Sequence, residues 1–553
     1  MGRKLTYSWL VNRVALNFRK FFALWWILSV TAGGHAAVFQ FATGVSSPAG
    51  KPGKAFMWIP PGTDHIRGVL IGGQTVFEDA FTADAKIREA CALEDLAIVQ
   101  FIPSLDALFD YKHNDCAARL EQALVELGKV SNHPELGVAP LFPFGHSVSS
   151  LFACRVVCWA PQRCFGALSF KGGMDVSYDP KYAGVPFLVI KGQFEEFGPG
   201  PSGILRDKLG ENRETSWKDM RETLLEMRAA DDRNLVSLLV DPGAGHFSWS
   251  ASSAPVVAMF IRKAAECRIP KQSMAATQPA QCNEIDPKTG TLSDADVEHP
   301  SVLPGNYSHF RGNPNRAFWN FDAEMASAMA AVEAGQFDKE PQFIQFLSAA
   351  GKPLDVPENM WMDLPLVWSG PDTITYRASF ADSPTRRYPP MDKKAGHSDG
   401  GIKFRALAGA VEQLSPTTFR ISPDGRDQMR VYVAAYNEGD RRYRYAEQMS
   451  RIKIPATLTK GAVQTITFDP IGEMTGSSAP IRLKATSNLG LPVHFYVEYG
   501  PAEIDDGDML RVADLPVSSK APLTIAVVAY QWGSAIAPFV QTAVVRQEIT
   551  IKP

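Results

Sequence analysis

The chain has no long basic run beyond its first twenty residues, no Cys-x-x-Cys pair, no His-Glu-x-x-His and no Cys/His cluster at zinc spacing. The first absence removes the electrostatic footprint that a nucleic-acid partner needs. The others remove the common redox and zinc signatures, so neither a cofactor nor a metal is expected. Nor is there an unbroken apolar run of the ~20 residues that a membrane-spanning helix needs. An excess of charge of either sign is lacking as well: 56 Lys and Arg stand against 59 Asp and Glu, a net charge of -3. What is present is a 45% hydrophobic, 21% charged chain, a composition that excludes a disordered, collagenous or coiled-coil protein. Its 553 residues exceed one ordinary domain and predict about two to four. Forty prolines and 43 glycines promise many turns.

Residues 1–20 hold Arg3, Lys4, Arg13, Arg19 and Lys20 and no acid, and the apolar run Phe21 to Val30 comes next. A basic start, a short apolar stretch and the small-residue exit Gly34-His35-Ala36 make a secretory signal peptide, with cleavage expected after Ala36. The competing reading is an uncleaved anchor, but Gly33, Gly34 and His35 interrupt the apolar stretch. The mature form is therefore expected to be secreted or periplasmic, without an integral membrane span. All seven cysteines fall after the leader, an odd number that leaves at least one thiol unpaired. Cys154 and Cys158, within an apolar stretch, read as small core residues. Cys267 and Cys282 flank a polar stretch and are candidates to pair.

From 52 to 266 short apolar runs alternate with helical patterns. Gly68–Gly73, Leu96–Ile102, 140–144, Ala167–Phe170, 185–190 and 235–240 read as strands, apolar throughout rather than alternating. Between them Cys116–Leu127 carries Leu120, Leu124 and Leu127 at helical spacing, and Met220, Leu224 and Met227 do the same. Continuous apolar strands separated by helices predict a doubly wound, mostly parallel α/β sheet covered on both faces. Residues 268–315, rich in Pro, Gln, Asn and Asp, read as a linker. Arg316–Ala334 is expected to be one amphipathic helix. Beyond 365 the period becomes two, as in Ile374, Tyr376, Ala378 and Phe380, which predicts a mainly β region. Trp319, Trp361 and Trp368 are candidates to line a sugar or polymer surface, with buried core the plainer role.

The strand 140–144 runs straight into Gly145-His146-Ser147-Val148-Ser149 and then a helical stretch. Strand, tight turn and helix are the context that gives G-x-S-x-G its meaning, although Ser149 replaces the last glycine. Gly396-His397-Ser398-Asp399-Gly400 matches that motif literally, yet it has no buried strand before it and no helix after it. Context outranks the pattern, so Ser398 is expected to be a loop residue. A serine hydroxyl needs a base and an orienting acid to become a nucleophile. Downstream lie Ile190-Lys191-Gly192-Gln193-Phe194-Glu195-Glu196 and, after the last strand, Gly245-His246, the only histidine between the elbow and the linker.

In these features 52–266 resembles the α/β-hydrolase superfamily. The resemblance implies Ser147 as nucleophile, His246 as general base and then acid, and Glu195 as the orienting carboxylate, with Glu196 as the alternative acid. It also implies an oxyanion hole made by the backbone N–H groups of Val148 and Gln74. No metal enters. The segment Gly490-Leu491-Pro492-Val493-His494-Phe495-Tyr496-Val497 looks like a bacterial immunoglobulin-like module. The expected organisation is a signal peptide at 1–36, a catalytic domain at 37–267, a linker at 268–315, a mixed helix/β domain at 316–455 and an Ig-like β-sandwich at 456–553. The implied activity is that of a secreted serine hydrolase cleaving carboxylic esters through an acyl-enzyme, its substrate a simple, polymeric or carbohydrate-linked ester. A non-catalytic binding or adhesion protein on a hydrolase scaffold, or a peptidase of the same fold, are the alternatives. Every implied site residue precedes Ala265, so the catalytic half is expected to work without the rest.

Overall fold

The computed structural model describes residues 39–552 apart from 179, 194–215, 247–248, 272–277, 355–362, 383–393, 423–429 and 521. The expected leader lies outside the described residues, as do Glu195, Glu196 and Trp361. Among the described residues no helix is long and apolar enough to cross a membrane.

Eight strands form one sheet: β1 (Phe41–Ser46), β2 (Pro52–Trp58), β3 (Gly68–Gly72), β4 (Leu96–Ile102), β5 (Leu141–His146), β6 (Ala167–Phe170), β7 (Phe187–Gly192) and β8 (Val236–Asp241). Their order is β1-β2-β4-β3-β5-β6-β7-β8. β1 and β2 are antiparallel to their neighbours, and every pairing from β4 onward is parallel. Helices α1 (Glu78–Ala83), α2 (Ala85–Leu93), α3 (Cys116–Ser131), α4 (Ser149–Trp159), α5 (Ser216–Ala230) and α6 (Ser253–Arg268) accompany the sheet. Gln100, Ser169, Lys191, Ser237 and Asp241 apart, β3, β4, β6, β7 and β8 carry apolar residues on both faces because both faces are covered. Val69, Ile71 and Val99 pack with Leu120 and Leu124 of α3 and Val156 of α4. Leu70 and Ile98, one residue along, pack instead with Ile87 of α2 and Phe260 and Ile261 of α6. The short α1 and the antiparallel β1–β2 pair have no counterpart among the sequence expectations, since neither carries a strong period. Cys154 and Cys158 are buried in α4, as expected, and all seven cysteines are free thiols, Cys267 and Cys282 included.

The stretch expected to be a linker is not a free spacer. It carries β9 (Thr291–Asp294) and β10 (Gly305–Asn306), and β9 pairs with β11 (Ala317–Asn320). Leu292, Trp319 and Met325 share one apolar core with Phe260 and Leu239 of the α/β half. The helix expected at 316–334 begins late, at Ala323. Ala317–Asn320 is held in the β9 ladder, and Asp322 caps α7 (Ala323–Glu333) by accepting the Met325 N–H at 2.9 Å. Glu333 then closes the β8 edge of the sheet, its Oε1 accepting the Val240 N–H at 2.9 Å. Burial pushes the Glu333 carboxyl up to about 8.

The rest is mainly β. One three-stranded sheet, which we term the outer sheet, joins Lys403–Ala408, Arg430–Asn437 and Ala446–Lys453 in antiparallel order. Further on, His494–Tyr499, Leu523–Gln531 and Ala543–Lys552 form the antiparallel body of a four-stranded sheet. Trp319 is buried, and Trp368 stacks on Trp532 at 5.2 Å, so both serve the core.

Candidate active site

Ser147 lies between β5 and α4, and its φ is +55°. Non-glycine residues seldom adopt that left-handed conformation, and a nucleophile elbow requires it. Two glycines permit the turn by leaving no Cβ. A Cβ on Gly145 would lie 1.9 Å from the Ser149 carbonyl oxygen, and one on Gly172 would lie 2.0 Å from Ser150 Oγ. Ser149, where the motif asks for glycine, is fully buried and keeps its Oγ 2.6 Å from Thr75 Oγ1. The departure from the motif therefore supplies a bond that glycine could not.

His246 reaches the serine from the far end of the sheet, its Nε2 lying 2.8 Å from Ser147 Oγ. The loop that carries it, 241–246, is pinned at several points. Lys171 Nζ donates to Asp241 Oδ2 at 3.0 Å and to the Gly245 carbonyl at 2.9 Å, with both side chains almost fully buried. His146 Nε2 donates to the His246 carbonyl at 2.8 Å. Burial, and then the neighbouring His246, hold the His146 imidazole well below its usual range, so it bonds as a neutral ring.

A second loop, 73–78, lies on the other side of the elbow. Buried Glu78 ties it down. Its Oε2 accepts the N–H groups of Thr75 at 2.8 Å and Val76 at 3.0 Å. Its Oε1 accepts the Thr75 hydroxyl at 2.9 Å and the His146 N–H at 3.1 Å. One carboxylate thus joins the loop to the elbow. Burial raises the Glu78 carboxyl above the usual carboxylate range, opposed by these hydrogen bonds.

Of the residues singled out from sequence, the structure brings Ser147 and His246 together. Val148 opens α4 and is exposed, and the first N–H groups of a helix have no partner within it. Gln74 differs from expectation, because its N–H is already engaged, donating to Ser104 Oγ at 2.6 Å. Glu195 and Glu196 lie outside the described residues, but the turn before them abuts the histidine loop. Gln193 donates its N–H to the Asp241 carbonyl at 3.1 Å and accepts the Gly243 N–H at 2.8 Å. A Cβ on Gly192 would come 2.6 Å from the Ala244 carbonyl oxygen.

Ser398 sits elsewhere and is locked. Its Oγ donates to Asn437 Oδ1 at 2.7 Å and its N–H to Gln342 Oε1 at 3.0 Å. The neighbouring His397 stacks on Phe380 at 4.1 Å. Sequence reasoning missed Glu78, Ser104, His146 and the Lys171–Asp241 pair. A signal existed for the first, since Thr75-Val76-Phe77-Glu78 has the Thr-x-x-Glu spacing of a capping box, although the helix itself starts at Glu78. The others bond across the fold and leave no local trace. Among the described residues no group of three His, Cys, Asp or Glu side chains converges as a metal site.

A serine presented in this way, where a parallel strand turns into a helix, is the architecture of the α/β-hydrolases. No protein-family model matches the chain, and no curated protein matches its sequence. Among solved structures it is similar to LpqC, a poly(3-hydroxybutyrate) depolymerase from Bordetella parapertussis, at 16% identity over 43% of this chain and 93% of that one (TM-score 0.28). The siderophore hydrolase EstA from Aspergillus nidulans is 14% identical over 41% of this chain and 95% of its own, again with a TM-score of 0.28. For the esterase LipW from Mycobacterium marinum the figures are 15%, 47%, 91% and 0.28. Likenesses this remote say nothing of substrate.

Proposed function

We propose that the chain is an exported serine hydrolase that cleaves carboxylic esters through an acyl-enzyme. The observation that carries the reading is the 2.8 Å contact between His246 Nε2 and the hydroxyl of a serine held at φ +55°. In this reading His246 takes the Ser147 proton as Oγ attacks the ester carbonyl, and returns it to the departing alkoxide. Water then repeats the sequence on the acyl-enzyme. Glu195 holds the imidazole in the required tautomer and stabilises the imidazolium, with Glu196 as the alternative. The Val148 N–H receives the developing oxyanion. For Gln74 to be the second donor, the oxyanion has to displace Ser104 Oγ from its N–H; each such donor is typically worth about 3 kcal/mol of transition-state stabilisation. Residues 1–36 serve as the export leader, placing the mature protein outside the cytoplasm.

A fluorophosphonate probe tests this directly, because it reacts only with an activated serine. Stoichiometric labelling that maps to Ser147 is the expected result; a folded protein that takes no label is a binding protein on a hydrolase scaffold. Parallel ester and peptide substrates, including short and long acyl chains and acylated polysaccharides, separate an esterase from a peptidase and locate the substrate class.

A further inference from the structure

The outer sheet has two faces of different kinds. Strand alternation and register put Val431, Val433, Ala435 and Phe404 on one face, where they close the core of their own domain. The other face bears Tyr432, Tyr436, Glu447, Met449 and Arg405, since Ala434 stands opposite both Arg405 and Met449 and Tyr436 stands opposite Glu447. In a free-standing domain that second face would meet water. Instead Tyr432 is 4% exposed and Met449 5%, and they pack on Val76 of the α/β half.

Val76 belongs to the 73–78 loop that Glu78 ties to the elbow. One strand end along the same sheet, the backbone of Tyr445 meets the histidine loop. A Cβ on Gly243 would lie 2.1 Å from the Tyr445 carbonyl oxygen, and Gly243 sits at φ +72°. Tyr445 is itself anchored: its hydroxyl donates to Glu447 Oε2 at 2.6 Å, and Arg405 reaches that same oxygen at 2.8 Å. The outer sheet therefore touches both loops that flank Ser147, from a part of the chain more than 150 residues further on.

We propose that the outward face of the outer sheet is a built-in clamp on the catalytic centre, with Met449, Tyr432 and Tyr445 as positioning residues that hold the 73–78 and 241–246 loops in register with Ser147. This rests on the hydrolase reading above. None of the three touches the reacting atoms; they act through Val76 and Gly243. Acyl transfer depends steeply on such placement, and a displacement of about 1 Å can cost on the order of 100-fold in rate. The expectation that residues up to Ala265 form a sufficient catalytic unit is thereby reversed: a folded truncation would retain the serine and histidine but lose the surface that fixes their loops.

The test uses full-length protein with Met449→Ala, Val76→Ala, the double variant and the conservative Met449→Leu. Active sites are counted by fluorophosphonate titration, so any misfolded fraction drops out of kcat. Each alanine variant is expected to lower kcat per labelled site by about tenfold with KM little changed, the double no further than either single, and Met449→Leu to restore the wild-type rate. Unchanged kcat in both single variants, or losses that multiply in the double, would overturn the clamp. Amide hydrogen exchange provides a readout independent of turnover. Residues 73–78 should exchange faster in Met449→Ala than in the wild type, and equal exchange overturns the proposal whether or not the protein hydrolyses esters. Labelling of the wild type reports separately on the hydrolase reading.

Discussion

Two segments of this molecule contain Gly-His-Ser, and they have opposite surroundings. Gly145-His146-Ser147 departs from the hydrolase motif at Ser149, yet its serine is thrust out at φ +55° against His246. Gly396-His397-Ser398 satisfies the motif to the last glycine, yet its serine is buried and donates its proton to Asn437. The difference lies in the flanking elements. β5 and α4 impose the tight turn at Ser147, whereas Ser398 sits in a loop leading to an edge of the outer sheet, where its hydroxyl is one of several donors on a single amide oxygen. A short motif reports chemistry only when secondary structure makes its geometry unavoidable.

The comparison breaks most severely at the proposed nucleophile. Ser147→Ala should lower kcat on an activated ester by about 10⁴-fold or more without altering the circular dichroism spectrum, because only one oxygen atom is removed. If Ser398→Ala were the variant that lost activity, the choice of elbow would be wrong. Next in size is the proposed acid. Glu195→Gln should cost several orders of magnitude in kcat near pH 7, as removal of an orienting carboxylate does, while Glu196→Gln should cost little. Kinetics of the two variants on one substrate assign the acid, and a large loss confined to the second moves the role to Glu196.

A subtler change sharpens the contrast between motif and context. Ser149→Gly would complete the literal pattern at Ser147, but it removes one of the partners of Thr75 Oγ1 and frees a backbone that is now constrained. A threefold to tenfold loss of kcat, about 1 kcal/mol, is expected; a gain would show that the glycine was the better residue. The smallest effect belongs to Ser398→Ala. Gln342 and Gly439 continue to donate to Asn437 Oδ1, so activity should be unchanged and thermal denaturation should register a loss of about 1 kcal/mol at most.

The α/β half was legible because its signal is local. β4 and β6 begin and end where their apolar runs do, α3 keeps to its leucine spacing, and the Gly-rich turn before His246 advertises a strand end. Legibility failed where a segment is shaped by something distant. Ala317–Asn320 looks helical until β9 pairs with it, and the polar stretch around Leu292 looks like a spacer until that leucine is buried against α6. The β half, whose strands are short and distributed over several small sheets, yielded its period of two but not its partners.

By itself the sequence determined the doubly wound α/β architecture, put a strand, turn and helix at Ser147 and not at Ser398, and singled out His246 as the candidate partner, because each rests on periodicity and chain order over a few adjacent residues. Only the tertiary structure decided that His246 lies on the serine hydroxyl, that Glu78 and Lys171 brace the two flanking loops, that Ser104 engages the Gln74 N–H, and that the outer sheet bears on both loops. Those bonds join residues remote in the chain. A buried carboxylate or ammonium finds its partners through the packing of whole elements, and no local pattern encodes which partner the packing will supply.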